Sequence, residues 1–185
     1  GGIRIHTEPY YGLMNDTHDY TGFSVFYEGY RIVGKPEGLW DSLLMQFCAG
    51  RRARPVWAIA ELDLEEGTDP ETASGSQTIL LVRGKSGKEY LDALRNGRMY
   101  AVTANMNRRM TIRDYSVVSG DVRAISGEVL PFHPDARLVF DLEVSGAPLN
   151  MEIVIVANGK VLERRRSAGS IHMEIPLTRP LDSLG

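Results

Sequence analysis

Asp63 and Glu65 stand one residue apart, just past a short apolar run at Val56–Ala60 that Pro55 bounds. In extended backbone, residues two apart point to the same face. Two carboxylates placed this way present oxygen donors together and can hold a divalent cation. An oxygen-only pair suits Mg, Ca or Mn better than Zn, and holds it loosely. The competing reading is a solvated acidic loop, because Glu61 and Glu66 extend the charge and carboxylates usually face water. His6 closes another short apolar stretch, Gly2–Ile5. A metal or substrate role and a hydrogen-bonded structural role suit it equally. Asp16 and His18 fall in a polar segment, 15–19, whose residue types are also ordinary turn formers. Arg51, Arg52 and Arg54 follow an expected helix. They can meet an anionic substrate, but cations are also favoured just past a helix C-terminus, and that second reading is the one adopted. Cys48, the one cysteine, lies in an apolar helix-like run and reads as a core thiol rather than a nucleophile.

These residues need elements to position them. Val56–Ala60, with Val, Trp and Ile, suits a strand buried on both faces. Acidic residues at the C-terminal end of such a strand sit where α/β folds place their sites. Phe23–Tyr27 reads as a strand entered through Gly22. Leu39–Ala49 carries apolar residues at helical spacing, with Asp41 in its first turn and Gly50 as its C-terminal stop. Thr78–Val82 is β-branched and apolar. Ser86–Asn96 predicts a helix with a capping box, Ser86 and Glu89, and Gly97 ends it. Met99–Thr103 is a further strand.

The texture changes after Met110. Thr111–Val118, Val122–Ile125, Leu138–Val144, Met151–Ala157, Lys160–Glu163 and Ser170–Ile175 predict short strands punctuated by glycines. Asn158-Gly159 is the strongest hairpin signal in the chain. The Arg164–Arg166 run reads as a solvated strand edge. The expected architecture is α/β over 1–107 followed by an all-β antiparallel β-sandwich over 108–185.

Composition bounds the partners. The 185 residues are 43% hydrophobic and 24% charged, with a net charge of -3. This balance offers no electrostatic case for nucleic acid or an anionic membrane. No apolar run is long enough to span a bilayer. The opening Gly1-Gly2 has no leader-like pattern, and the compartment stays open.

Three segments together resemble the C-terminal part of PHP-type (polymerase and histidinol phosphatase) metal-dependent phosphoesterase-like proteins that carry an appended β-domain. They are Gly22–Tyr30, then Trp40–Leu44 with Gly50-Arg51 and Val56–Asp63, then Tyr90–Ala101 with its Ala-Leu-x-x-Gly-Arg-x-Tyr-Ala pattern. The resemblance covers roughly residues 1–105. It implies a partial PHP-like α/β barrel segment, a divalent metal (Mn, Zn or Mg), and hydrolysis of a small phosphorylated or other ester substrate. Asp63, Glu65 and His6 would be metal ligands, and Arg51 or Arg54 would meet the substrate. The chain departs from the family pattern at two points. Glu65 stands where the family's Asp-x-His motif has its histidine, and no His-x-His pair occurs. A complete barrel plus a sandwich takes roughly 250 residues or more. The resemblance therefore implies a C-terminal fragment, or a relative that has lost much of its barrel, with an incomplete metal site. The alternative is a non-catalytic module that binds a protein partner or a glycan.

Overall fold

The computed structural model describes residues 5–6, 14, 16–27, 34–62, 66–67, 69, 75–103, 108–146 and 150–177. The chain divides into two units, Gly1–Met106 and Asn107–Gly185.

In the first unit, β1 (Ile5–His6), β2 (Gly22–Tyr27) and β3 (Trp57–Glu61) form a parallel sheet in that order. Helix α1 (Leu39–Cys48) joins β2 to β3. Its start is set by Asp41, whose carboxylate accepts the Glu37 N–H at 3.0 Å. Its end is a Schellman turn. Gly50 takes a positive φ of 69°, its N–H reaches Phe47 O, and the Arg51 N–H reaches Gln46 O. Leu43 of α1 packs into a core with Met14, Tyr20, Phe23, Val25 and Val56. The strand buried on both faces is β2, where Phe23, Ser24 and Val25 are all buried. In β3, which lies at the edge of the parallel ladder, only Ile59 is buried. The expectation for Val56–Ala60 is corrected accordingly.

The rest of this unit is antiparallel. β4 (Ser76–Leu80) pairs with β5 (Met99–Thr103), from Ser76 opposite Thr103 to Leu80 opposite Met99. Helix α2 (Gly87–Asn96) lies between them in sequence. Its cap is the expected one: Ser86 Oγ accepts the Glu89 N–H and donates to the Glu89 carboxylate. Because Leu80 faces Met99, α2 opens and closes at one end of the strand pair, as a hairpin's loop does. It does not cross over to start a parallel strand. The expected α/β barrel segment is therefore not what forms. Among the described residues, strands make up 47% and helices 14%, with two helices.

Two contacts bind β3 to this antiparallel pair. The Thr78 hydroxyl accepts from Ala60 N at 2.9 Å and donates to Ala60 O at 3.0 Å. The Trp57 indole N–H donates to Arg95 O at 3.1 Å, at the end of α2. Gly97 caps that end with a φ of 70°, and a Cβ there would lie within 2.4 Å of Trp57 ring atoms.

The second unit has a four-stranded antiparallel sheet, ordered β11–β8–β6–β7, and a two-stranded ribbon of β9 and β10. The strands are β6 (Arg108–Ser119), β7 (Val122–Ile125), β8 (Arg137–Gly146), β9 (Met151–Ala157), β10 (Lys160–Ser167) and β11 (Ile171–Pro176). This is one sheet covered by a ribbon, which replaces the expected sandwich. The core holds Leu138, Phe140 and Leu142 of β8, Ile153 and Ile155 of β9, and Met173 of β11. Each set alternates along its strand, as a face buried on one side requires.

β6 needs a correction of phase to do the same. Met110 and Ile112 pack on this core, and so does Val117, whose number has the opposite parity. A register shift between Ile112 and Asp114 supplies the extra residue, Arg113. The Asn158-Gly159 hairpin forms with φ of 49° and 72°, joining Ala157 to Lys160. Arg164–Arg166 lie within β10 rather than beyond a strand, and all three are exposed.

Gly97→Ala is expected to destabilise the chain by about 2–4 kcal/mol, from the left-handed backbone and the blocked Trp57 ring together. Urea unfolding followed by Trp fluorescence measures it. A loss below about 0.5 kcal/mol would show that neither constraint binds.

Candidate functional site

Parallel pairing puts the C-terminal ends of β1, β2 and β3 along one edge of the sheet. The register sets His6 level with Phe23 and Ala58, and Glu61 level with Tyr27. His6 therefore falls three residues short of Glu61, about 10 Å along the strand direction. The His6 side chain, and the whole of Asp63, Glu65 and Glu8, lie outside the described residues. Glu61 itself is half-buried at the end of β3. Among the described residues there is no group of three or more His, Cys, Asp or Glu side chains placed to hold a metal.

The arginines occupy the other end of β3. Arg51 and Arg54 precede the strand, whereas Glu61 closes it. Both are exposed, and Arg54 donates to Asp19 O at 3.1 Å, just before β2. The structure does not bring these arginines to the Glu61 end. Arg52 between them is buried, and its partners explain why. It donates to Gln46 Oε1 at 2.8 Å, Thr17 O at 3.1 Å and Met14 O at 2.6 Å, and stands 5.2 Å from the Tyr20 ring centre. The Tyr20 hydroxyl also donates to Met14 O. Burial raises the Tyr20 pKa, and Arg52 offsets part of that rise. Arg52 thus ties segment 14–20 to the end of α1. Three adjacent basic residues do not reveal from sequence which one turns inward.

Asp16 and His18 are exposed. Cys48 is exposed rather than a core thiol, which corrects its sequence reading. Its pKa is raised, chiefly by partial desolvation, so its environment does not activate a thiolate.

A second place of interest lies wholly within the second unit. An open groove of about 650 Å³ is bounded by β6, β7, β9 and the loop that follows β7. Tyr115, Ile125, Val129, Phe132, Ile155 and Leu162 are among its lining residues. The Tyr115 ring meets Phe140 edge-on, at 6.1 Å and 85°. The loop wall is pinned at both ends. Near its start, Glu128 N–H donates to Ile125 O, and Glu128 Oε2 accepts the Ile125 N–H, both at 3.0 Å. Near its end, Asp135 accepts from Ser119 Oγ and from the Gly120 N–H, each at 2.9 Å, and pairs with His133 at 2.6 Å. These contacts, led by Ser119, hold the Asp135 carboxyl below its ordinary pKa.

The sequence reading missed this groove. Its signal was Val129-Leu130-Pro131-Phe132, an apolar run in a segment with no strand or helix period, where polar residues are the norm. In comparison with known proteins, no family model, curated protein or solved structure matches this chain.

Two outcomes are expected. Arg52→Leu should cost about 2–4 kcal/mol, since it removes the donor from three acceptors in a mostly dry site; Arg51→Ala should change stability by less than about 0.5 kcal/mol. Chemical denaturation of both variants checks the contrast. Asp135 has a depressed folded pKa, so its contribution is present above the unfolded carboxylate value of about 3.9 and is lost as pH falls through the folded value. Asp135→Asn should flatten the acid limb of the stability–pH curve below about pH 4. An acid limb identical to that of the parent chain would remove Asp135 from this role.

Proposed function

We propose that this chain is the C-terminal region of a metal-dependent phosphoesterase-like hydrolase, with a metal site that its own residues leave incomplete. One observation carries the reading. Three parallel strands end at one edge, and the last of them runs on towards Asp63 and Glu65. Strand ends of this kind are where metal and substrate groups gather in parallel sheets. The three sequence segments that resemble PHP-type proteins fall on β2, on α1 with β3, and on α2 with β5. The barrel is not part of the reading.

The donor set does not fit a catalytic metal. Such a site takes about three protein ligands and an open position. Asp63 and Glu65 supply oxygens only, and His6 stands three residues back along its strand from the level of Glu61. No catalytic step is therefore assigned to these residues, and Arg51 and Arg54 are left outside the site. Completion would require further ligands from beyond them.

Titration calorimetry of the purified chain with Mn and with Zn tests this. The expected result is no micromolar binding by a folded chain. Micromolar binding that Asp63→Ala abolishes would instead mean that this chain alone builds a complete site.

A second reading is favoured by the groove in the second unit: a non-catalytic binding module. A concave, largely apolar surface of this volume is the common form of a ligand site.

A further inference from the structure

The geometry points to the groove of the second unit as the binding site for one neutral, largely apolar small molecule. This rests on the binding-module reading and adds the class of ligand. It does not depend on the metal edge of the first unit.

Size comes first. About 650 Å³ falls within the 300–1,000 Å³ of small-molecule sites. Charge comes next. Among the described residues, Glu128 is the one charged residue in the lining, and its carboxylate accepts the Ile125 N–H. No cation among the described residues lines the groove to meet an anion. For a cation the described lining offers this one carboxylate, whose Oε2 also serves the loop, and no second one beside it. Uncharged polar side chains are a minority of the described lining: Ser116, Ser126, Asn158 and the Tyr115 hydroxyl, of which Ser116 donates to Asp114 Oδ1 at 2.8 Å. Apolar side chains meanwhile stand open at the groove: Val129 is 93% exposed, Tyr115 43% and Phe132 40%. Apolar area left in water around a concavity marks a site of interaction.

An extended peptide is the natural rival, because β7 is an edge strand. Strand addition needs free backbone groups on that edge. At Ile125 both are taken, the N–H by the Glu128 carboxylate and the carbonyl by the Glu128 N–H. The same pair holds one end of the groove wall, and Asp135 holds the other. The wall is thus set before a ligand arrives, which lowers the ordering cost of binding.

The test uses the full chain and the neutral fluorophore N-phenyl-1-naphthylamine. The expected result is a saturable rise in emission, with one site per chain. Val129→Asp and Phe132→Asp should each weaken binding tenfold or more, with circular dichroism and melting unchanged, because both residues are exposed. No saturable binding would overturn the proposal. So would affinity unchanged in both variants, or one probe per two chains with a dimer in sedimentation, which would give the groove to a second copy. A parallel arm measures thermal shifts with cello-oligosaccharides. A stabilisation that Phe132→Asp abolishes, with no probe binding, would overturn the apolar class and keep the module reading. No response in either arm would overturn both.

Discussion

The first unit depends on a pair of hydrogen bonds made by one hydroxyl. Thr78 satisfies both backbone groups of Ala60, and so joins β3 to β4 without a backbone ladder. An open strand edge must find partners for its N–H and C=O groups. A side-chain hydroxyl, both donor and acceptor, can serve one residue in each direction. The parallel sheet thereby meets an antiparallel pair at this point. Trp57 reinforces the same junction through Arg95 O and the bare face of Gly97, and Trp40 donates to Val56 O just before the strand. β3 is thus held just before its start, at its first residue Trp57, and at Ala60, one residue before Glu61 closes it.

In the second unit the governing constraint is parity. A strand that buries one face must keep its apolar residues two apart, and a single inserted residue exchanges the faces. β6 breaks the count at Arg113 and keeps its core side chains on the same sheet face. β10 does likewise: a register shift between Val161 and Glu163 leaves Leu162 packed against the core. The arginines that follow remain in water, where charge discourages an added strand.

These constraints separate two kinds of site. At the parallel edge, the backbone pairing alone brings the strand ends together. The groove is different, because its wall is a loop whose ends are fixed by two carboxylates, Glu128 and Asp135. Both carboxylates serve the loop, Glu128 through Oε2 and Asp135 through Ser119 and Gly120. Their work is positional, which is why an apolar surface can stay open to water without collapsing onto the strands beneath it.

Local signals were legible in the sequence. The Ser86–Glu89 cap, the stops at Gly50 and Gly97, and the Asn158-Gly159 turn depend on residues within a few positions of each other. The strand runs from Met99, Val122 and Met151 depend on side-chain type over a handful of residues. Pairing was not legible. Whether β5 runs with or against β4 depends on whether α2 returns the chain to the same end of β4 or carries it to the other, and a short apolar run carries no mark of direction. The inward turn of Arg52, rather than Arg51 or Arg54, needed carbonyls from a segment more than thirty residues away. The groove needed Tyr115, Phe132 and Ile155 brought together from three separate stretches. Local hydrogen bonding and side-chain shape set the elements, and long-range closure of backbone polar groups and apolar faces chose their arrangement.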